Sequence, residues 1–122
     1  MAEKAQQVRA LLTVRRLRLD IFGSELFGEP AWDMLLALYE AHLEQRALSK
    51  SSLHLASMAP WPTALRWMDR LECRQLLKYH RDPHDARRTL VELSEDGLKS
   101  MERYWSQWAE IMPFQTDQSL TP

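Results

Sequence analysis

Two arginines four residues apart, Arg66 and Arg70, share with Thr63 and Asp69 the polar side of a segment whose other side is Ala64, Trp67, Met68 and Leu71. Arginine presents a planar fork of donors that fits guanine O6 and N7 in a pair, or two oxygens of a phosphate. Arginines on one exposed helix face can therefore grip or read a nucleic acid. Trp61, Pro62 and Leu65 stand at the approach to that face. Downstream, Asp82-Pro83-His84-Asp85-Ala86-Arg87-Arg88 concentrates acidic and basic side chains on a turn-forming stretch, and Arg74, Lys78 and Arg88 add cations suited to phosphate. The same spacings also suit surface ion pairs of Arg66 and Arg70 with Asp69 or Glu72, and a local pair within the turn.

The formal net charge of -1 conceals an uneven distribution. Residues 60 to 88 hold seven basic and four acidic side chains, a local +3, whereas residues 89 to 122 carry -4. Only a contacting face must complement phosphate, so such a patch is compatible with a near-neutral whole. Catalysis finds no support: no nucleophile stands beside a positioned base, and no glycine-rich phosphate loop exists. His80 and His84 straddle a predicted strand and turn rather than sharing a helix face, so with the lone Cys73 they make a poor metal set, and no cofactor is expected. Cys73 is expected to be buried and inert rather than a redox sensor, and it has no partner for an internal disulfide. No apolar run approaches the roughly 18 residues of a membrane span and no signal-peptide core opens the chain, so a cytoplasmic protein without membrane association is expected.

The elements that must position these residues follow from period and punctuation. Val8, Leu11, Leu12, Val14, Leu19, Ile21 and Phe22, interleaved with arginines, predict a helix from about Glu3 to Phe27, with Gly23 and Gly28 marking its end. Pro30 opens a second helix to about Arg46, with Trp32, Leu35, Leu36, Tyr39 and Leu43 on one core face. Ser49 is the N-cap of a short helix over Lys50 to Met58, with Leu53, Leu55 and Ala56 as buried candidates. The Pro60-Trp61-Pro62 cluster breaks it, and Pro62 opens the next helix, about 62 to 74. Leu76–Arg81 and Arg88–Leu93 predict two strands around a turn at 82 to 85, and Ser94 caps a last helix to about Met112. Residues 113 to 122 read as a disordered tail.

This order is that of a winged helix-turn-helix, a mainly α class with a small β-hairpin wing. The stretch 62 to 72, Leu76-Leu77, Asp82-Pro83-His84-Asp85-Ala86-Arg87-Arg88 and Val91-Glu92-Leu93-Ser94-Glu95-Asp96-Gly97 resembles the MarR family of transcriptional regulators over roughly residues 30 to 105. The wing carries the most specific part, Asp82, Pro83, Asp85 and Arg87 at the family's spacing. The resemblance implies that Thr63, Arg66 and Arg70 address a major groove, that Arg87 enters a minor groove braced by Asp85, and that Arg74, Lys78 and Arg88 meet phosphates. Two departures stand out. Gln75 occupies the place of a helix-ending glycine, where a left-handed cap would cost on the order of 1 kcal/mol. Trp61 puts a bulky ring where small polar residues are common; packing under the preceding helix is expected, ahead of a contact with DNA backbone or a thymine methyl.

Leu98, Met101, Trp105, Trp108 and Met112 form a seam on the last helix. The seam can cover the chain's own core, but the first helix offers a second apolar stripe, and the resemblance implies a homodimer through the terminal helices, residues 1 to 112 being one domain. The resemblance also implies a small-molecule effector between the dimerising and DNA-binding parts. A reading from another class is a winged helix that docks a protein and binds no DNA.

Overall fold

The computed structural model describes residues 2–22 and 29–111 of the chain. Five helices and three short strands follow in the order α1 (Ala2–Phe22), α2 (Pro30–Leu43), β1 (Leu48–Ser49), α3 (Lys50–Ser57), α4 (Trp61–Cys73), β2 (Leu77–Asp82), β3 (Asp85–Leu93) and α5 (Glu95–Ile111). The fold is mostly helical with a small antiparallel sheet, in the strand order β1-β3-β2. The predicted helix end at Phe27 with its Gly23 and Gly28, Met112, and the tail from 113 to 122 lie outside the described residues.

α2 is the centre of the molecule. Met34, Leu36, Ala37, Leu38, Tyr39, Ala41 and Leu43 are all buried, whereas Trp32 and Leu35 are only half-buried. The predicted single core face is therefore too narrow, because α1, α3, α4, α5 and β3 all pack against this helix. Val8 and Leu12 of α1, Leu53 of α3, Met68 of α4, Val91 of β3, and Met101 and Trp105 of α5 complete one cluster around it. The seam expected on α5 is thus spent largely inside the chain, and Trp108 stacks on Trp105 with ring centroids 5.2 Å apart.

Both serine caps form as their sequence positions predict. The Ser52 N–H donates to Ser49 Oγ at 3.1 Å, and the Gly97 N–H donates to Ser94 Oγ at 2.9 Å. β1 went unforeseen: at two residues it carries no period of its own, and exists because the edge of β3 accepts it, Leu48 opposite Val91 and Ser49 opposite Leu90. The wing strands reach further than predicted, leaving Pro83 and His84 as the turn.

Helix ends hold the backbone strain. Among the described residues, those other than glycine with positive φ are Gln45, Met58 and Gln75, each just past a helix. α2 consequently stops at Leu43 rather than Arg46. At Gln75, φ is 62°, its N–H donates to the Glu72 carbonyl and the Leu76 N–H to the Leu71 carbonyl. This is the left-handed, doubly bonded helix ending that glycine fits best. Gln75→Gly is expected to raise stability by about 1 kcal/mol, seen as a higher urea midpoint at unchanged slope. A lower midpoint would mean that the glutamine side chain contributes more than its backbone strain costs.

Candidate nucleic-acid interface

The helix-turn-helix is built by α3 and α4. α4 begins at Trp61, one residue before the predicted start, because Pro60 stands at its N-cap and Pro62 fits the first turn, where no N–H partner is needed. Ala64, Met68 and Leu71 anchor it in the core, and that burial turns Pro62, Arg66, Asp69 and Cys73 to solvent. Arg66 reaches back towards Thr63 Oγ1, at 3.5 Å. Arg70 behaves differently: its guanidinium lies over the half-buried Trp67 ring, 4.8 Å from the centroid, which holds it on the flank of the helix. Cys73 is exposed, against the expectation of burial, because it shares the outer face with Arg66 and Asp69.

Trp61 is 42% exposed, so packing accounts for only part of its ring. The packed part meets His54 edge-on, centroids 4.9 Å apart and planes at 73°. Leu55, expected in the core, is 73% exposed. Residues two apart on a helix point to nearly opposite sides, so burying Leu53 sends Leu55 outward.

The wing is a braced loop. Its ladder pairs Leu77 with Leu93 through Arg81 with Thr89, then steps to Asp82 opposite Asp85, so Ala86, Arg87 and Arg88 bulge from the tip. Asp82 Oδ1 accepts the His84 N–H at 2.8 Å, and its other oxygen pairs with Arg88 at 3.4 Å. Asp85 Oδ1 accepts the Arg87 backbone N–H at 3.1 Å and the Arg87 Nε–H at 3.4 Å. The Arg87 side chain is nevertheless 93% exposed. His80 pairs with Glu92 on the sheet, Nδ1 to Oε2 3.2 Å, and no group of three metal-ligating side chains exists among the described residues.

Arg87 and Arg88 share a cleft of about 210 Å³ with Thr89 and with Ser49, Lys50 and Ser51 at the start of α3. Lys50 is held with its ammonium 4.9 Å from the centre of the Tyr79 ring. Lys50 and Ser51 were missed by sequence reasoning, although a lysine beside an N-cap serine at a helix's positive end is a legible phosphate signal. Arg74 and Lys78 do not join this group. They lie at the α4–β2 junction, and Lys78 faces Glu92 at the end of the hairpin away from the tip.

Solved structures share this arrangement. A mutant of MepR from a multidrug-resistant S. aureus clinical isolate matches at 25% identity and TM-score 0.59, over 74% of this chain and 66% of that one. PcaV, a transcriptional regulator of Streptomyces coelicolor in complex with its natural ligand, matches at 28% identity and TM-score 0.54, over 89% of this chain and 70% of that one. Both are MarR-family winged-helix regulators, a class without catalytic activity. The chain has the MarR winged helix-turn-helix fold. A MepR–DNA complex shares it at 20% identity and TM-score 0.62, over 93% of this chain and 89% of that one. No protein-family model and no curated protein matches the sequence. In this chain α3 and α4 form the helix-turn-helix and the small sheet with β2–β3 the wing. Among the described residues, no helix is long and apolar enough to cross a membrane.

Proposed function

We propose that the chain is a sequence-specific DNA-binding transcriptional regulator that acts as a homodimer, with α4 in the major groove and the wing in the minor groove. The observation that carries this reading is Arg87: a guanidinium almost wholly in solvent at the tip of a loop, fixed by Asp85 at its Nε and backbone. A braced cation loses little freedom on entering a narrow minor groove, where negative potential is strongest. Arg66 and Thr63 are the candidate base readers, Arg70 the flanking contact, and Lys50 with Arg88 the phosphate contacts. Arg74 and Lys78 would reach only phosphates beyond the contacted turn. A structure of MepR with DNA and the same fold adds support.

Self-association rests on α1. Ala5, Val8, Leu12 and Leu19 face the core, while Val14, Leu17 and Ile21 are 61%, 55% and 65% exposed at spacings of three and four. A helix apolar on its outer face gains by meeting its own copy across a two-fold axis, which would set two α4 helices about one DNA turn apart. Residues 2 to 111 then form one unit with α1 as its dimerising arm. A cleft of about 650 Å³ lined by Glu3, Gln6, Gln7, Ala10, Leu11, Val14 and Trp108 is the candidate place for a small effector, and it lies between the two terminal helices rather than beside the helix-turn-helix.

Duplex binding across a salt series tests the whole reading. Affinity should fall steeply with salt; Arg66→Ala and Arg87→Ala should each weaken binding about tenfold or more. Leu17→Glu with Ile21→Glu should sediment as a monomer and lose the avidity of paired half-sites. Absence of binding at low salt, or a tight complex indifferent to all three changes, would overturn the reading.

A further inference from the structure

The exposed apolar side chains around the helix-turn-helix are not used by the reading so far. Leu55, Met58 and Trp61 are 73%, 40% and 42% exposed, on the last turn of α3, on the turn and at the start of α4. A single exposed leucine means nothing. Trp61 is a different matter, because it stands in the first turn of the recognition helix, the end that approaches the base edges most closely.

We infer that Trp61 recognises the C5-methyl group of thymine in the site bound by α4, an inference that rests on the DNA-binding reading above. In the major groove each base pair presents donors and acceptors, and the thymine methyl is the apolar feature of the set. An indole face left half in solvent is complementary to it and to little else there. The ring is also preordered. His54 meets it edge-on, and His54 is itself held by a 3.0 Å hydrogen bond between Nε2 and the Ala59 carbonyl, so Trp61 gives up little freedom on contact. Charge favours DNA over a protein as the occupant. The exposed Arg66 lies five residues farther along α4, and both residues stand within the basic stretch of the sequence. Division of labour follows: Arg66 hydrogen-bonds to a purine edge, and Trp61, on another side of the helix near its start, selects a separate position by burying a methyl group.

The test uses the full chain and a duplex selected by it from a random library. Each thymine is replaced singly by deoxyuridine, which keeps the base pair and removes only the methyl. Uracil at one position in each half-site should weaken the parent protein about fourfold, the value of one buried methyl group. Trp61→Ala should bind the thymine duplex more weakly by a similar or larger factor and be indifferent to uracil at that position, with Trp61→Phe between the two. Parent binding that ignores every uracil overturns the inference, and because the change is made in the DNA, no folding defect can imitate it. A uracil effect equal in parent and Trp61→Ala overturns it too, and returns the patch to protein docking. Failure of the parent to bind any duplex at low salt overturns the DNA-binding reading itself, and this inference with it.

Discussion

Gly97→Ala is expected to lower stability by about 2–3 kcal/mol, although alanine is intrinsically favoured over glycine inside a helix by about 1 kcal/mol. The reason is space. A Cβ at position 97 would stand 2.2 Å from the Leu76 carbonyl oxygen and 3.1 Å from its carbon, both backbone atoms that no rotamer change can move. Leu76 follows the strained Gln75 turn, and its carbonyl also accepts the Ser94 N–H at 2.9 Å. The Ser94 hydroxyl donates to the Gln75 carbonyl at 2.6 Å and accepts from the Gly97 N–H. The end of α4 and the start of α5 are thus clamped across two hydrogen bonds, and a methyl group would pry them apart. A thermal melt should show the midpoint down by about 10 °C. Duplex affinity should fall as well, since the clamp sets where α4 ends. A midpoint at or above that of the parent would show that α5 can move off Leu76 freely.

Arg15→Met should be as damaging, and its effect should depend on pH. Arg15 Nε donates to Asp33 Oδ1 at 2.6 Å, with the two side chains 10% and 4% exposed, and the partly exposed Glu29 adds a weaker contact at 3.3 Å. This ion pair ties α1 to α2 beneath the proposed dimer face. Burial raises the Asp33 pKa above its ordinary 3.8, and the Arg15 hydrogen bond and charge only partly offset it. Asp33 Oδ2 has no hydrogen-bond partner among the described residues. A carboxyl whose folded-state pKa is raised holds a proton that the unfolded chain has already released. Its contribution to stability therefore falls as pH rises through the window above 3.8, and levels off once the folded group ionises. Removing Arg15 takes away the groups that lower this pKa and extends the window upward. The loss at neutral pH should be about 3–5 kcal/mol, the cost of stranding one partner of a buried pair. It should shrink as the pH falls, because protonation of Asp33, eased by its raised pKa, removes the need for a cation. Urea midpoints of Arg15→Met and parent at pH 4.5 and 7.5 check this, and adding Asp33→Asn should recover much of the neutral-pH loss. A deficit equal at both pH values would show that the pair acts by packing alone.

Local chemistry accounts for what the sequence determined by itself. Ser49 and Ser94 cap their helices because each hydroxyl needs only an N–H three residues ahead. Asp82, Pro83 and His84 make the wing turn, and Asp85 braces Arg87, through contacts two to six residues long. Proline at 30 and 62 opens helices for a reason internal to proline. The helix-turn-helix order, the wing and its arginine were therefore legible before any tertiary contact was known. What the tertiary structure decided involves partners far along the chain. An apolar stripe records that something covers it, and not what: the α5 seam turned inward on Tyr39 and the α1 helix, leaving Val14, Leu17 and Ile21 outward. Arg15 and Asp33 are eighteen residues apart, and nothing local singles that arginine out from its neighbours. Trp67 takes Arg70 aside, which no spacing rule foretells. β1 exists only because β3 lends it an edge, and Gln75 tolerates a left-handed backbone only because the Leu76 carbonyl must meet Ser94 and pass close to Gly97. In each case the deciding energy is packing or desolvation, which depends on the neighbours that folding supplies.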